Sequence, residues 1–194
     1  MKKLAFLLAL VLLLSGCTVG SGGGDVTGGP EPLPQGSFPG LGGVMPDMTF
    51  QTADGRELTL YGLLEEKQLV VLNFWYEGCG WCLREFPVME LAYQDYRRDV
   101  EIVALNPVDG NAAIKAFQEK RSLSFPMAAC RQSTAREAGV SAYPTSIFID
   151  RDGVVCLIHV GAITEADDFR TVFAAFTGEN YSRQIYGNIR EILN

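Results

Sequence analysis

Apolar and polar positions alternate along most of the chain in blocks that read as strands and helices. Met48 to Thr52 and Arg56 to Leu60 flank Ala53-Asp54-Gly55, which predicts a hairpin turning at Asp-Gly. Leu69 to Trp75 (LVVLNFW) is a short, nearly continuous apolar run, the pattern of a strand buried on both faces. From Cys82 to Arg98 the apolar positions Phe86, Met89, Tyr93 and Tyr96 recur every three or four residues, so a long helix is expected, with Pro87 kinking it. Glu101 to Asn106 predicts a strand. Ala112 to Lys120 predicts a helix with Ile114 and Phe117 on one face. Phe125 to Ala129 reads as a short strand and Ser133 to Ala138 as a short helix. Ser146 to Asp150 and Val154 to Val160 read as strands joined by a turn at Arg151-Asp152-Gly153. Glu165 to Phe176 is a helix whose core side carries Phe169, Val172, Phe173 and Phe176. Strand–helix alternation followed by a terminal hairpin predicts an α/β sandwich around a mixed sheet.

The two ends differ from this block. Lys2 and Lys3 precede an apolar run of 11 residues, Leu4 to Leu14, which suits a secretory signal and is too short to span a bilayer comfortably. The run closes on Leu14-Ser15-Gly16-Cys17, which resembles a bacterial lipobox; the resemblance implies cleavage before Cys17 and lipid on its sulfur and amine. Acyl chains hold a protein at a membrane through about 0.8 kcal/mol per buried methylene. Residues 18–43 contain ten of the chain's 21 glycines and four prolines, with only Asp25 and Glu31 charged. Such a stretch buries too little apolar surface to offset its ordering entropy, so a flexible tether is expected. The expected organisation is therefore a signal peptide at 1–16, lipidated Cys17 with a linker over 17–43, a globular domain at 44–177, and a tail at 178–194. In the tail, Ile185, Ile189 and Ile192 either line a last helix or belong to a frayed end.

Charge narrows the function. The 194 residues carry a formal charge of −7, which argues against a nucleic-acid binder. A single histidine excludes a His-rich metal site, and His159, on the predicted last strand, is expected to be structural.

The chemistry lies where the buried strand meets the long helix, at Cys79-Gly80-Trp81-Cys82. Two cysteines at this spacing can close a small disulfide ring. Free N–H groups and the helix dipole at the helix start favour negative charge, lower the pKa of the first cysteine and raise its thiolate fraction. Cys79 is expected to be the exposed nucleophile and Cys82 the resolving thiol. Structural zinc would need two more ligands, and the chain holds no second CxxC. A CxxC between a strand and its helix reads as thioredoxin-like.

Phe74-Trp75, three residues, then Cys79-Gly80-Trp81-Cys82-Leu83-Arg84-Glu85-Phe86-Pro87 resembles the active-site segment of the TlpA/ResA family of membrane-tethered thiol–disulfide oxidoreductases. The likeness runs from about residue 44 to 176. It includes Pro46-Asp47, the helix and strand over 111–129 that the family inserts into the thioredoxin fold, Tyr143-Pro144-Thr145, and the turn at Asp150-Arg151-Asp152-Gly153. The resemblance implies a thioredoxin fold with an N-terminal β-hairpin and a mixed central sheet flanked by helices. It implies that Pro144 is cis and packs against the CxxC, and that the Tyr143 backbone is open to pair with a substrate strand. Glu85 matches an acidic residue that can relay protons or shift the thiol pKa values, against the plainer reading of a solvated residue in the first turns of a helix. Two departures stand out. Gly78 replaces the tryptophan usual before the first cysteine, and Gly80-Trp81 lacks the usual proline. Trp81 is expected to sit exposed beside the disulfide as a contact for partners.

Cys130 and Cys156 remain. Their even number suggests a second disulfide, but the implied topology puts them toward opposite sides of the sheet, and two buried, reduced thiols are expected. Taken together, these residues predict an extracytoplasmic, lipid-anchored, monomeric oxidoreductase that reduces disulfides of partner proteins. No haem, flavin or nucleotide fingerprint is visible, so no cofactor is expected and electrons should come from a membrane thiol donor. The alternatives are an oxidase that donates its disulfide and a non-enzymatic adaptor.

Overall fold

The computed structural model describes residues 38–178. Cys17, the signal segment, the linker up to residue 37 and the tail beyond 178 lie outside the described residues. Within them, five strands form one mixed sheet: β3 (Leu69–Phe74), β4 (Val100–Asn106), β5 (Met127–Ala129), β6 (Thr145–Asp150) and β7 (Val155–Val160). Their order is β5-β4-β3-β6-β7. β3 pairs parallel with β4, and β4 with β5, while β3–β6 and β6–β7 are antiparallel. A separate antiparallel hairpin, β1 (Thr49–Gln51) and β2 (Glu57–Thr59), precedes the sheet. This is the predicted α/β architecture, a thioredoxin fold carrying the hairpin and the helix–strand insertion.

Alternation along β3 explains why the sheet needs helices on both sides. Leu69, Val71 and Trp75 face one cluster, built with Phe86 and Met89 of α2 (Gly80–Tyr96), Phe117 of α3 (Asn111–Arg121) and Phe169, Val172 and Phe173 of α5 (Ala166–Thr177). Val70, Leu72 and Phe74 face the other, with Leu60 and Leu63 of α1 (Leu60–Glu66) and Ala135 of α4 (Gln132–Glu137). Each side chain points opposite to its neighbour, so an apolar run on one strand feeds two cores.

One predicted element changes. The strand expected to reach Leu60 ends at Thr59, where the hydroxyl accepts the Gly62 N–H at 3.1 Å and starts the unexpected helix α1. Leu60, Leu63 and Leu64 at helical spacing bury that helix. Pro87 lies inside α2, which is assigned as one helix from Gly80 to Tyr96. Residues before 44 also make contacts with the sheet and its helices. Phe38 N–H donates to the Glu137 carbonyl at 3.1 Å, and its ring meets Phe74 at 6.4 Å. Gly42 and Gly43 exchange backbone hydrogen bonds with Val155, at 2.8 and 2.9 Å. These bonds cover one end of the β7 edge. On the opposite edge, Ala53 N–H donates to the Met127 carbonyl at 2.8 Å, so the hairpin shields β5.

Sheet order also settles the remaining cysteines. Cys130 follows β5 and Cys156 lies in β7, four strand spacings away, or about 19 Å. A disulfide needs Cα atoms within about 7 Å. Both are free. Cys156 is buried and its thiol donates to the Phe148 carbonyl at 3.3 Å, whereas Cys130, expected buried, is only partly so because it sits past the strand's end. Burial pushes both thiols up, which makes them poor nucleophiles. His159 is half-buried on β7, and burial lowers its pKa.

Candidate active site

Cys79 is the N-cap of α2, with extended backbone (φ −82°, ψ 101°). Its Sγ accepts the Cys82 N–H at 3.1 Å, the bond an N-cap side chain makes to one of the four free donors of a helix start. The two sulfurs are joined as a disulfide, with Cα atoms 5.3 Å apart. On reduction the same N–H and the helix dipole face the Cys79 sulfur, which favours its thiolate.

The expectation that Cys79 stands exposed is corrected. It keeps 5% of its surface and Cys82 keeps none. Both sulfurs belong to the core cluster that contains Trp75 and Phe86, which covers them from below. Cys79 is still the only one of the pair with any exposed surface.

Trp81 projects from the ring and is 56% exposed, with the Arg84 guanidinium 4.8 Å from its ring centroid. A core position for it is thereby ruled out. Gly78 has a local cause: a Cβ there would lie 3.0 Å from the Tyr76 ring. Tyr76 fills the space and meets the half-exposed Tyr143 edge-on at 5.3 Å. No such constraint acts at Gly80, where an added Cβ meets open space. The Tyr143–Pro144 bond is cis, as the resemblance implied.

Glu85, one turn beyond Cys82, is fully buried, which overturns the reading of a solvated helix residue. One carboxylate oxygen accepts the Ile163 N–H at 3.0 Å, and the other accepts Asn73 Nδ2 at 3.0 Å. Burial raises its pKa to about 7, and the Ile163 N–H pulls in the other direction without cancelling that rise. This places a buried carboxyl that titrates near neutral pH on the same helix as the cysteine pair, one turn beyond Cys82.

Sequence reasoning missed three contributors. Asn73 and Ser146 are buried polar residues on β3 and β6, with Asn73 Nδ2 2.9 Å from Ser146 Oγ. The visible signal was a single amide inside LVVLNFW. Asp109 accepts the Glu77 N–H at 2.8 Å and Asn106 Nδ2 at 2.9 Å, tying the segment before Cys79 to the end of β4. Only the parallel β3–β4 pairing brings those loops together. Among the described residues, no cluster of His, Cys, Asp or Glu could hold a metal ion, and no helix is long and apolar enough to cross a membrane.

Known proteins share this architecture. The AhpC/TSA family model matches residues 41–158. The thiol–disulfide oxidoreductase ResA of Geobacillus thermodenitrificans is 36% identical over 131 residues, 66% of this chain and 73% of that protein. ResA of Bacillus subtilis is 29% identical over 168 residues, covering 85% of this chain and 89% of the relative. A crystal structure of a putative thiol:disulfide interchange protein DsbE from Chlorobium tepidum superposes with a TM-score of 0.60 at 29% identity, over 70% of this chain and 97% of that one. The chain therefore belongs to the AhpC/TSA family, among the thioredoxin-fold thiol–disulfide oxidoreductases of the ResA kind.

Proposed function

We propose that this chain is a lipid-anchored, extracytoplasmic reductase of disulfides in partner proteins, acting through Cys79 and Cys82. The observation that carries the reading of the chemistry is the placement of the pair: a disulfide at the start of α2, the Cys79 sulfur already accepting a helix N–H and Cys79 keeping a small exposed surface that Cys82 lacks.

That placement supports a two-step exchange. Cys79 thiolate attacks one sulfur of a substrate disulfide, forming a mixed disulfide and releasing the first substrate thiolate. Cys82 thiol gives its proton to the Glu85 carboxylate. The resulting Cys82 thiolate attacks Cys79 Sγ, expels the second substrate thiolate and closes the Cys79–Cys82 disulfide. Two electrons pass to the substrate, and a reduced dithiol protein in the membrane restores the pair. Trp81 and the Tyr143 backbone, next to the cis Pro144, receive the substrate chain.

Direction is decided by the equilibrium reduction potential, read against a glutathione or dithiothreitol couple. The reductase reading expects a value near that of thioredoxins, on the order of −270 mV; a value near −120 mV makes the protein a disulfide donor instead. The anchor is tested separately. Cys17→Ser removes the sulfur that would carry lipid, and is expected to move the protein from the membrane fraction to the soluble one. Retention in the membrane fraction would refute lipidation at Cys17.

A further inference from the structure

The polar string beneath the helix has an imbalance. Both Glu85 oxygens face N–H donors, Ile163 N–H and Asn73 Nδ2. An ionised carboxylate satisfies both. A carboxylic acid must in addition find an acceptor for its own O–H, and two donors offer none. The Asn73 amide meanwhile directs Nδ2 to both Glu85 and Ser146 Oγ, while its Oδ1 is buried with no hydrogen-bond partner. A buried orphan acceptor next to a buried acid is costly in one protonation state and useful in the other.

We propose that Asn73 is a positioning residue that follows the protonation state of Glu85: its amide presents Nδ2 to the carboxylate and turns over to present Oδ1 to the carboxylic acid, with Ser146 Oγ accepting in the first state and donating in the second. Turning the amide by about 180° puts two lone pairs where two N–H groups had been, so both neighbours stay bonded. Nδ2 then faces the unpartnered side, so the turn is favoured only while Glu85 holds its proton. Ser146 suits the role because a hydroxyl donates or accepts by rotation alone.

The titration is local. Burial places the Glu85 midpoint near neutral, and no charged side chain among the described residues contributes to it. The groups facing it are Asn73 from β3, backed by Ser146 of β6, and Ile163 N–H from the segment before α5, with Cys82 one turn back on its own helix. Asp167 and Asp168 in the first turn of α5 make no contribution.

The idea rests on the proton role given to Glu85 above, and its test needs no turnover. In the full oxidised chain, the thiols of the pair are absent as titrating groups. Nuclear magnetic resonance would follow Glu85 Cδ and the Asn73 Nδ2 protons together against pH. Overhauser contacts from those protons to Ser146 Hβ are expected above the Glu85 midpoint and should fade below it with the same midpoint. Contacts that persist while Glu85 titrates would overturn the proposal, as would a Glu85 carboxyl that keeps one state from about pH 4 to about pH 10. Asn73→Leu supplies a second reading. An amide serving both states leaves the Glu85 dissociation constant within about threefold when removed, whereas a clamp on the carboxylate alone would weaken the acid about tenfold. Failure here leaves the Cys79–Cys82 chemistry standing. A protein that forms no adduct with partners loses that chemistry and keeps this result.

Discussion

Cys82→Ser is expected to collect partner proteins as covalent adducts on Cys79 that dithiothreitol releases. The reason is the unequal burial of the two sulfurs. With 5% of its surface open, Cys79 is the atom an incoming disulfide meets, and only the enclosed Cys82 can displace it afterwards. Serine at 82 keeps the helix start and removes the resolving step, so the mixed disulfide accumulates. Cys79→Ser should trap nothing and lower the rate of disulfide reduction on the order of a thousandfold or more. Non-reducing electrophoresis of the native envelope, with the adducts identified by mass spectrometry, reads both variants at once and names the substrates. If Cys79→Ser retains partner binding while Cys82→Ser yields no reducible adduct, the protein is an adaptor whose dithiol is a structural clip.

Glu85→Gln is expected to remove a pH dependence from both stability and thiol exchange. The folded carboxyl titrates at about 7 because burial penalises its charge, against 4.5 for an unperturbed glutamate. Between those values the unfolded chain has released a proton that the folded chain still holds. The associated stability is fully present below 4.5, falls as pH rises toward 7, and is gone above it. The full difference is about 3 kcal/mol. Denaturant unfolding of the oxidised protein at several pH values, taken as wild type minus Glu85→Gln, isolates this effect from the other carboxyls. The difference should tilt against the wild type across that window, so that the variant is relatively more stable at pH 8 than at pH 4. In exchange assays the wild-type profile should bend near pH 7 and the variant's should not. A flat difference in stability would show that Glu85 does not carry its charge into the core.

How much of this was legible follows from where each residue's environment comes from. The run LVVLNFW announces a strand buried on both faces because no other strand type is apolar at every step. The four aromatic and aliphatic positions of α5 mark its buried side for the same reason, and all four are buried. The redox pair was legible because its chemistry depends on a local spacing and a helix start. Helix α1 was missed although Thr59 and the spacing of Leu60, Leu63 and Leu64 encode it; seven residues beside a hairpin are short enough for a strand pattern to absorb them.

Glu85 shows the limit most clearly. Its position three residues after Cys82 places it on the active-site helix, and local sequence says nothing more. Whether it meets water or Asn73 depends on β3, β6 and the segment before α5, which lie 12, 61 and 78 residues away. The accessibility of Cys79 and the separation of Cys130 from Cys156 are of the same kind. Sequence by itself determined the strand and helix pattern and the CxxC that makes this an oxidoreductase, because those depend on neighbours within a few residues. Tertiary structure alone decided how little of Cys79 stays exposed, which carboxyl is buried and titrates near neutral pH, and which amide it meets, because burial and desolvation are set by elements distant in the chain.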